Sequence, residues 1–287
     1  MGRTPCYAAD IVIFSSREHA IPGLRDCCPK FELRPETSEH LTIPAALLYL
    51  NHMKIESITN MGLQRDNNED RHLVHILDKD HALLVVADGM GGHAAGEVAA
   101  QLALDSLENY RPSGPDICLE LLHCIETAQN RIMERSLAVP AFRGMGTTLT
   151  ALFLAGKSAY WVHVGDTRIY HYHRGSLIRI TEDHTVAGML LKRGEIDREE
   201  ARYHPYASVL TRCVGCDRYE SDSGVFSVEE GDFVLLSSDG LHDLMSDEQI
   251  ADFISEKTEI KVKLQRMVSA CLEAGGMDNI TAVLAAI

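Results

Sequence analysis

Carboxylates at the ends of apolar runs are the residues of this 287-residue chain best suited to chemistry. Glu69 and Asp70 lie in NNEDR, Asp88 closes LLVVAD, Asp166 follows WVHVG, Asp239 follows FVLLSS and Asp278 opens DNITAVLAAI. Side chains alternate along a strand, so a carboxylate at a strand end can leave the core and enter a shared cleft. Gathered carboxylates repel one another, and a divalent cation relieves that repulsion. An all-oxygen donor set selects hard ions, which puts Mg²⁺ or Mn²⁺ ahead of Zn²⁺.

The elements that must hold these residues follow from the apolar pattern. Strands are predicted near 55–60, 70–77, 81–87, 147–155, 158–164, 168–174, 176–180, 224–228, 232–237 and 279–286. Helices are predicted over about 93–110, where alanines surround Val98, Leu102 and Leu107 and Pro112 ends the run, and over about 116–136, 247–255 and 259–274. Segment 185–203 is polar and helical, broken by Gly188 and Gly194. Two early helices, a middle of hairpins and two late helices imply antiparallel sheets covered by helices rather than a βαβ repeat.

Residues 1–52 read differently. They hold Pro5, Pro22, Pro29, Pro35 and Pro44 and no hydrophobic period, so we expect an irregular N-terminal extension that activity does not need, or a start placed upstream of Met53. The formal net charge of −15 argues against a nucleic-acid surface, which needs a basic stripe. Eight scattered cysteines suit a reducing cytoplasm, and the lone Cys213/Cys216 pair has no second pair to complete a zinc site, so a packing role is expected for it. No apolar run reaches the roughly 18 residues that span a bilayer.

Several local motifs mislead. Gly89-Met90-Gly91-Gly92-His93-Ala94 has the outline of a dinucleotide-binding turn, but Asp88 would aim a carboxylate at the pyrophosphate and the later elements do not alternate as that fold requires. Gly156-Lys157-Ser158 echoes a phosphate loop but precedes a strand. Cys28 to Arg34 has the spacing of a cysteine phosphatase without the glycines that turn N–H groups to phosphate. His171 and His173 would share a strand face, but no third ligand stands nearby in sequence, so surface histidines are expected there; His123 and His163 are expected at core or edge positions.

Taken together, six motifs in order resemble the metal-dependent serine/threonine protein phosphatases, the PPM or PP2C family, in its bacterial branch. They are Gly62-x-x-Arg65-x-x-Asn68-Glu69-Asp70-Arg71, Asp88-Gly89-Met90-Gly91-Gly92-His93, Gly144-Met145-Gly146-Thr147-Thr148, Val164-Gly165-Asp166-Thr167-Arg168, Ser238-Asp239-Gly240-Leu241 and Asp278-Asn279-Ile280-Thr281. Segment 183–205 resembles the family's flap over the cleft, and its two glycines are expected to let it move. The resemblance covers 53–287 as one phosphatase domain.

It implies an α+β fold, a four-layer αββα sandwich of two antiparallel sheets flanked by helices. It also implies two core Mn²⁺ or Mg²⁺ ions and a weaker third. Asp88 would bridge the pair, the Gly89 carbonyl would bind one, Asp239 and Asp278 the other, and Asp166 with Asp239 the third. Asp70 would also belong to the metal site, orienting metal-bound water with Glu69 in support, Asn279 would back the ligands, and Arg65 would grip phosphate. The implied reaction is hydrolysis of protein phosphoserine and phosphothreonine by metal-activated water, opposing a bacterial kinase; the alternative is a catalytically weak phosphoprotein-binding module. Met90 stands where some members carry His, so no general acid is assigned, and His93 is expected to be structural. A cytoplasmic monomer acting on phosphoproteins, with no nucleic-acid partner and no membrane span, completes the expectation.

Overall fold

The apolar run of β4 (His81–Met90) is continuous rather than alternating, which requires cover on both faces of its sheet. A computed structural model of the chain describes residues 12–15, 53–91 and 95–287, and it shows that cover. Leu83, Val85 and Ala87 pack under helices, whereas Leu84 and Val86 face a second sheet. Of the N-terminal segment only Val12–Ser15 (β1) is described; His93 and the Cys28–Arg34 spacing lie outside the described residues.

The first sheet runs β1, β10 (Asp222–Ser227), β7 (Ser158–Val164), β6 (Leu149–Ala155), β4 and β3 (Asp70–Ile76), with the two-residue β5 (Gly146–Thr147) paired to the end of β4. The second runs β2 (Lys54–Asn60), β12 (Ile280–Ala286), β11 (Phe233–Ser237), β8 (Arg168–His173) and β9 (Ser176–Arg179). Every pairing between neighbouring strands is antiparallel. Between the sheets sits a core of Leu84, Leu152, Trp161, Ile169, Leu236 and Val283.

Two helix layers close the sandwich. Helix α1 (Ala95–Asp105) lays Ala99, Ala100 and Ala103 on the first sheet beside α2 (Ile117–Ala138), whose N-terminus is capped by the Asp116 carboxylate accepting from the Leu119 N–H at 3.0 Å. On the other face, α6 (Asp247–Ser255) and α7 (Ile260–Glu273) bury Ile250, Ile254, Leu264 and Met267 against Tyr170, Leu235 and Leu284. The order of layers is thus α, β, β, α, as the resemblance implied.

The differences from the sequence expectation are local. The run at 147–155 is interrupted at Thr148, because that residue turns to bond Asp88 rather than continuing a ladder. Helix α1 ends at Asp105, five residues early, and a turn closed by Leu107 N–H to the Leu104 carbonyl follows it. Segment 185–203 splits into α3 (Val186–Lys192) and α4 (Arg198–Arg202). Gly188 is no break: it lies inside α3, where a Cβ would sit 2.1 Å from the Asp183 carbonyl oxygen, so glycine is there for close packing. The short helix α5 (Asp239–His242) carries no periodic signal of its own.

Candidate active site

The strand ends deliver the carboxylates to one cleft of about 750 Å³. Asp70 opens β3 and pairs in register with Asp88 on β4. Asp166 follows β7, Asp239 follows β11 and Asp278 precedes β12. Asp88, Gly89, Asp166, Asp239, Asp278 and Arg65 all line the cleft, together with Glu69 and Asn279. Every residue to which the family resemblance gave a metal, phosphate or supporting role is therefore at the cleft or directly behind it, Asp70 being the one that is buried beneath the lining.

The local sequence explains how such a crowded site can form. At Gly89 a Cβ would lie 2.1 Å from the Gly96 carbonyl oxygen, and at Gly240 it would lie 2.0 Å from the Asn279 carbonyl oxygen. The glycine after each aspartate lets a second backbone segment approach where any side chain would block it. The threonines of the 144–148 motif fix Asp88 from behind. Thr148 Oγ1 accepts from the Asp88 N–H at 2.9 Å, while the Thr147 hydroxyl and the Thr148 N–H donate to the Asp88 carbonyl at 2.9 and 2.8 Å.

Asn279 ties three segments together. Its Oδ1 accepts from the Glu69 N–H at 2.7 Å, and its Nδ2 donates to the Met61 and Asn67 carbonyls at 2.8 and 2.9 Å. The Ser238 hydroxyl donates to Asp70 Oδ2 at 2.7 Å. Arg65 Nη2 donates to Asp278 Oδ2 at 2.6 Å, with about half of the Arg65 side chain open to solvent.

The electrostatics are those of a site built for cations. Burial, then repulsion from Asp239, Asp70 and Asp166, drives the Asp88 carboxyl well above its ordinary value. Burial and the Asp239, Asp183 and Asp243 charges do the same to Asp166. Burial raises Asp70 to about 6, and burial with Asp243 and Asp278 raises Asp239 to about 7. Asp70 Oδ1 and Asp239 Oδ1 are buried without a hydrogen-bond partner. Buried acceptors are normally satisfied, so these orphaned oxygens fit a hard divalent ion, as does the all-oxygen donor set.

Two residues were missed. Asp243 lies one helical turn beyond Asp239 and adds its charge to both Asp239 and Asp166; the i, i+4 spacing was the available signal. Asp232 accepts from His171 Nε2 at 2.8 Å and His173 Nδ1 at 2.7 Å, which corrects the expectation of surface histidines without a third partner. His171 is only 6 % exposed. The trio's ligand atoms lie within 4.8 Å of one another, but it sits at the end of β8 and β11 opposite Arg168 and Ser237, away from the cleft, and both Asp232 oxygens are engaged by imidazoles. His163 is a core residue, as expected, whereas His123 is exposed on α2.

The Cys213/Cys216 pair also departs from expectation. The two are joined as a disulfide with Cα atoms 5.4 Å apart, and both line the cleft. The flap lies beside it. Ser208, Leu210 and Thr211 form part of the cleft wall, and α3 and α4 border an adjoining cavity that shares Asp166 and Asp239. No helix among the described residues is long and apolar enough to cross a membrane.

Comparison with known proteins places this geometry in context. The family model described as Protein phosphatase 2C matches residues 64–285. Protein phosphatase PhpP of Streptococcus pneumoniae is 32% identical over 238 residues, covering 81% of this chain and 96% of its own. Serine/threonine protein phosphatase PstP of Mycobacterium tuberculosis is 39% identical over 230 residues, covering 79% of this chain and 43% of its own. The crystal structure of the M. tuberculosis phosphatase PstP/Ppp superposes with a TM-score of 0.76 at 37% identity, covering 82% of this chain and 98% of that one. A second structure, the PstP catalytic domain in complex with 2 manganese ions, gives a TM-score of 0.74 at 35% identity over 82% of this chain and 97% of its own.

Proposed function

The chain belongs to the protein phosphatase 2C family, a family of metal-dependent hydrolases, and we propose that it removes phosphate from serine and threonine side chains of proteins, opposing a serine/threonine kinase. The observation that carries this reading is the cleft itself: four mutually repelling aspartates, Asp70 and Asp166 buried and Asp88 and Asp239 partly so, two of them with orphaned oxygens, beside a half-exposed arginine.

In this reading Asp88, the Gly89 carbonyl, Asp239 and Asp278 hold two Mn²⁺ or Mg²⁺ ions, and Asp166 with Asp239 holds a weaker third. When bound, the ions supply Lewis acidity that activates water and offsets charge on the phosphoryl group. The remaining work falls to the chain. Asp70, fixed by the Ser238 hydroxyl, orients the attacking water. Glu69 supports it through a backbone that Asn279 anchors. Arg65 turns its planar fork to two phosphate oxygens, for which its exposed half leaves room. Met90 carries no transferable proton, so the leaving oxygen takes its proton from elsewhere than this position.

A cytoplasmic monomer is part of the same proposal, as is a flap that selects among phosphoproteins. The alternative of a catalytically weak binding module is not favoured, because each carboxylate that the chemistry needs is present in the chain. Release of inorganic phosphate from a phosphothreonine peptide by the full chain tests the reading. Turnover with Mn²⁺ or Mg²⁺ that chelator abolishes is expected; equal rates with and without chelator would sink it.

A further inference from the structure

We propose that Cys213 and Cys216 form a reversible dithiol–disulfide site that sets the rigidity of the cleft wall, and through it the affinity for the phosphorylated peptide. The cysteine chemistry stands on its own geometry; its effect on peptide binding rests on the phosphatase reading above.

The pair occupies the turn Cys213-Val214-Gly215-Cys216, which leads from the flap into the cleft wall. Cys213 is 1 % exposed, whereas Cys216 is half-buried, so Cys216 is the more accessible of the two. The turn is clamped on both sides. Val214 exchanges backbone hydrogen bonds with Thr147 at 2.8 and 2.9 Å, and Gln129 of α2 accepts from the Gly215 N–H at 2.5 Å and donates to the Cys216 carbonyl at 2.9 Å. Thr147 in turn donates to the Asp88 carbonyl. Cys213 Sγ also lies close to the strand end, 3.1 Å from where a Cβ on Gly146 would stand, a position equally near Met90. A change at the disulfide is therefore two hydrogen-bonded steps from the aspartate at the centre of the cleft.

The other described cysteines do not compete. Cys118, Cys124 and Cys271 are free thiols. Burial pushes Cys118 and Cys271 up to about 11 and raises Cys124 as well, which leaves them with little thiolate to react. In a reducing compartment a disulfide is characteristically transient and redox-sensing.

The step balances with a hydroperoxide as oxidant. The Cys216 thiolate attacks the O–O bond, giving a sulfenic acid and releasing an alcohol or water. The Cys213 thiol then attacks that sulfur, forming the S–S bond and releasing water. Reduction is the reverse exchange with a dithiol, through a mixed disulfide at Cys216. Closing the ring removes conformational freedom from the wall before substrate arrives, so the oxidised form has less ordering to complete on binding.

The test uses the full chain, reduced with dithiothreitol or oxidised with hydrogen peroxide, each reagent then removed. Thiol alkylation after unfolding in acidic denaturant, mapped by mass spectrometry, should label both cysteines of the reduced protein and neither after oxidation, reversibly. Tryptic cleavage after Arg218 should be about threefold or more faster in the reduced form. With saturating Mn²⁺, KM for a phosphothreonine peptide should be about threefold or more higher in the reduced form, with kcat and p-nitrophenyl phosphate turnover moving less. Cys216→Ser and Cys213→Ala should each abolish all three differences. Thiols that stay alkylatable after oxidation, or verified redox states with equal cleavage rates and equal KM, would overturn the proposal. Absence of turnover in both states would count against the phosphatase reading alone, since alkylation and cleavage still decide the switch.

Discussion

Asp70 and Asp239 each keep a buried oxygen without a partner, and both carboxyls are raised, Asp70 to about 6 and Asp239 to about 7. An unfolded chain releases these protons near pH 4. The folded, cation-free protein therefore holds protons that the unfolded chain has lost, and its stability falls as pH climbs from about 4 to about 7. Thermal melts in chelator should show that decline, and saturating Mn²⁺ should remove it, because cation binding displaces the protons. A flat profile in chelator would contradict the electrostatics described here. Replacing Asp88 or Asp239 by Asn keeps the shape and removes a donor charge. Turnover should fall by at least about 100-fold with an unchanged circular dichroism spectrum. The proposed ligand carboxylates could be read from the sequence because each stands at one end of an apolar run. Asp232 could not, because tertiary contact brings it to His171 and His173, whereas the spacing of Asp243 from Asp239 and of Cys213 from Cys216 was visible without revealing the charge coupling or the bond.

At the scale of elements, the cleft depends on backbones approaching where side chains are missing. Gly240→Ala would drive a methyl to 2.0 Å from the Asn279 carbonyl, pushing α5 away from the Asp278 loop. We expect a loss of about 1–3 kcal/mol in denaturant unfolding, together with weaker Mn²⁺ binding. Asn279→Ala removes the tie among the Met61, Asn67 and Glu69 backbones. Calorimetry should find Mn²⁺ affinity or activity reduced by roughly 10- to 100-fold, and an unchanged value would show that the tie is dispensable. Strand positions were legible because both sheets bury at least one face, which writes a run or an alternation into the chain. The end of α1, the break at Thr148 and the four-residue α5 were not, since each is set by a hydrogen bond to another segment.

Across the whole molecule, two sheets and two helix layers exist in order to bring five strand ends to one place. The four-layer order was legible from the sequence of helices and hairpins, but the strand order within each sheet was not, because β12 inserts between β2 and β11 from the far end of the chain. Residues 53–287 carry both sheets' central strands and every cleft residue among those described, while the N-terminal segment contributes the edge strand β1 on β10. A truncated protein beginning at Met53 should accordingly retain Mn²⁺-dependent turnover on a phosphothreonine peptide; loss of turnover with retained folding would give the segment a role in the site. Hydrolysis should depend on the cation site that these strand ends build. Calorimetric titration of the full chain with Mn²⁺, beside Asp239→Asn, tests it most directly. Two tight ions per wild-type chain, with that binding lost in the variant, are predicted; identical isotherms for the two proteins would contradict it.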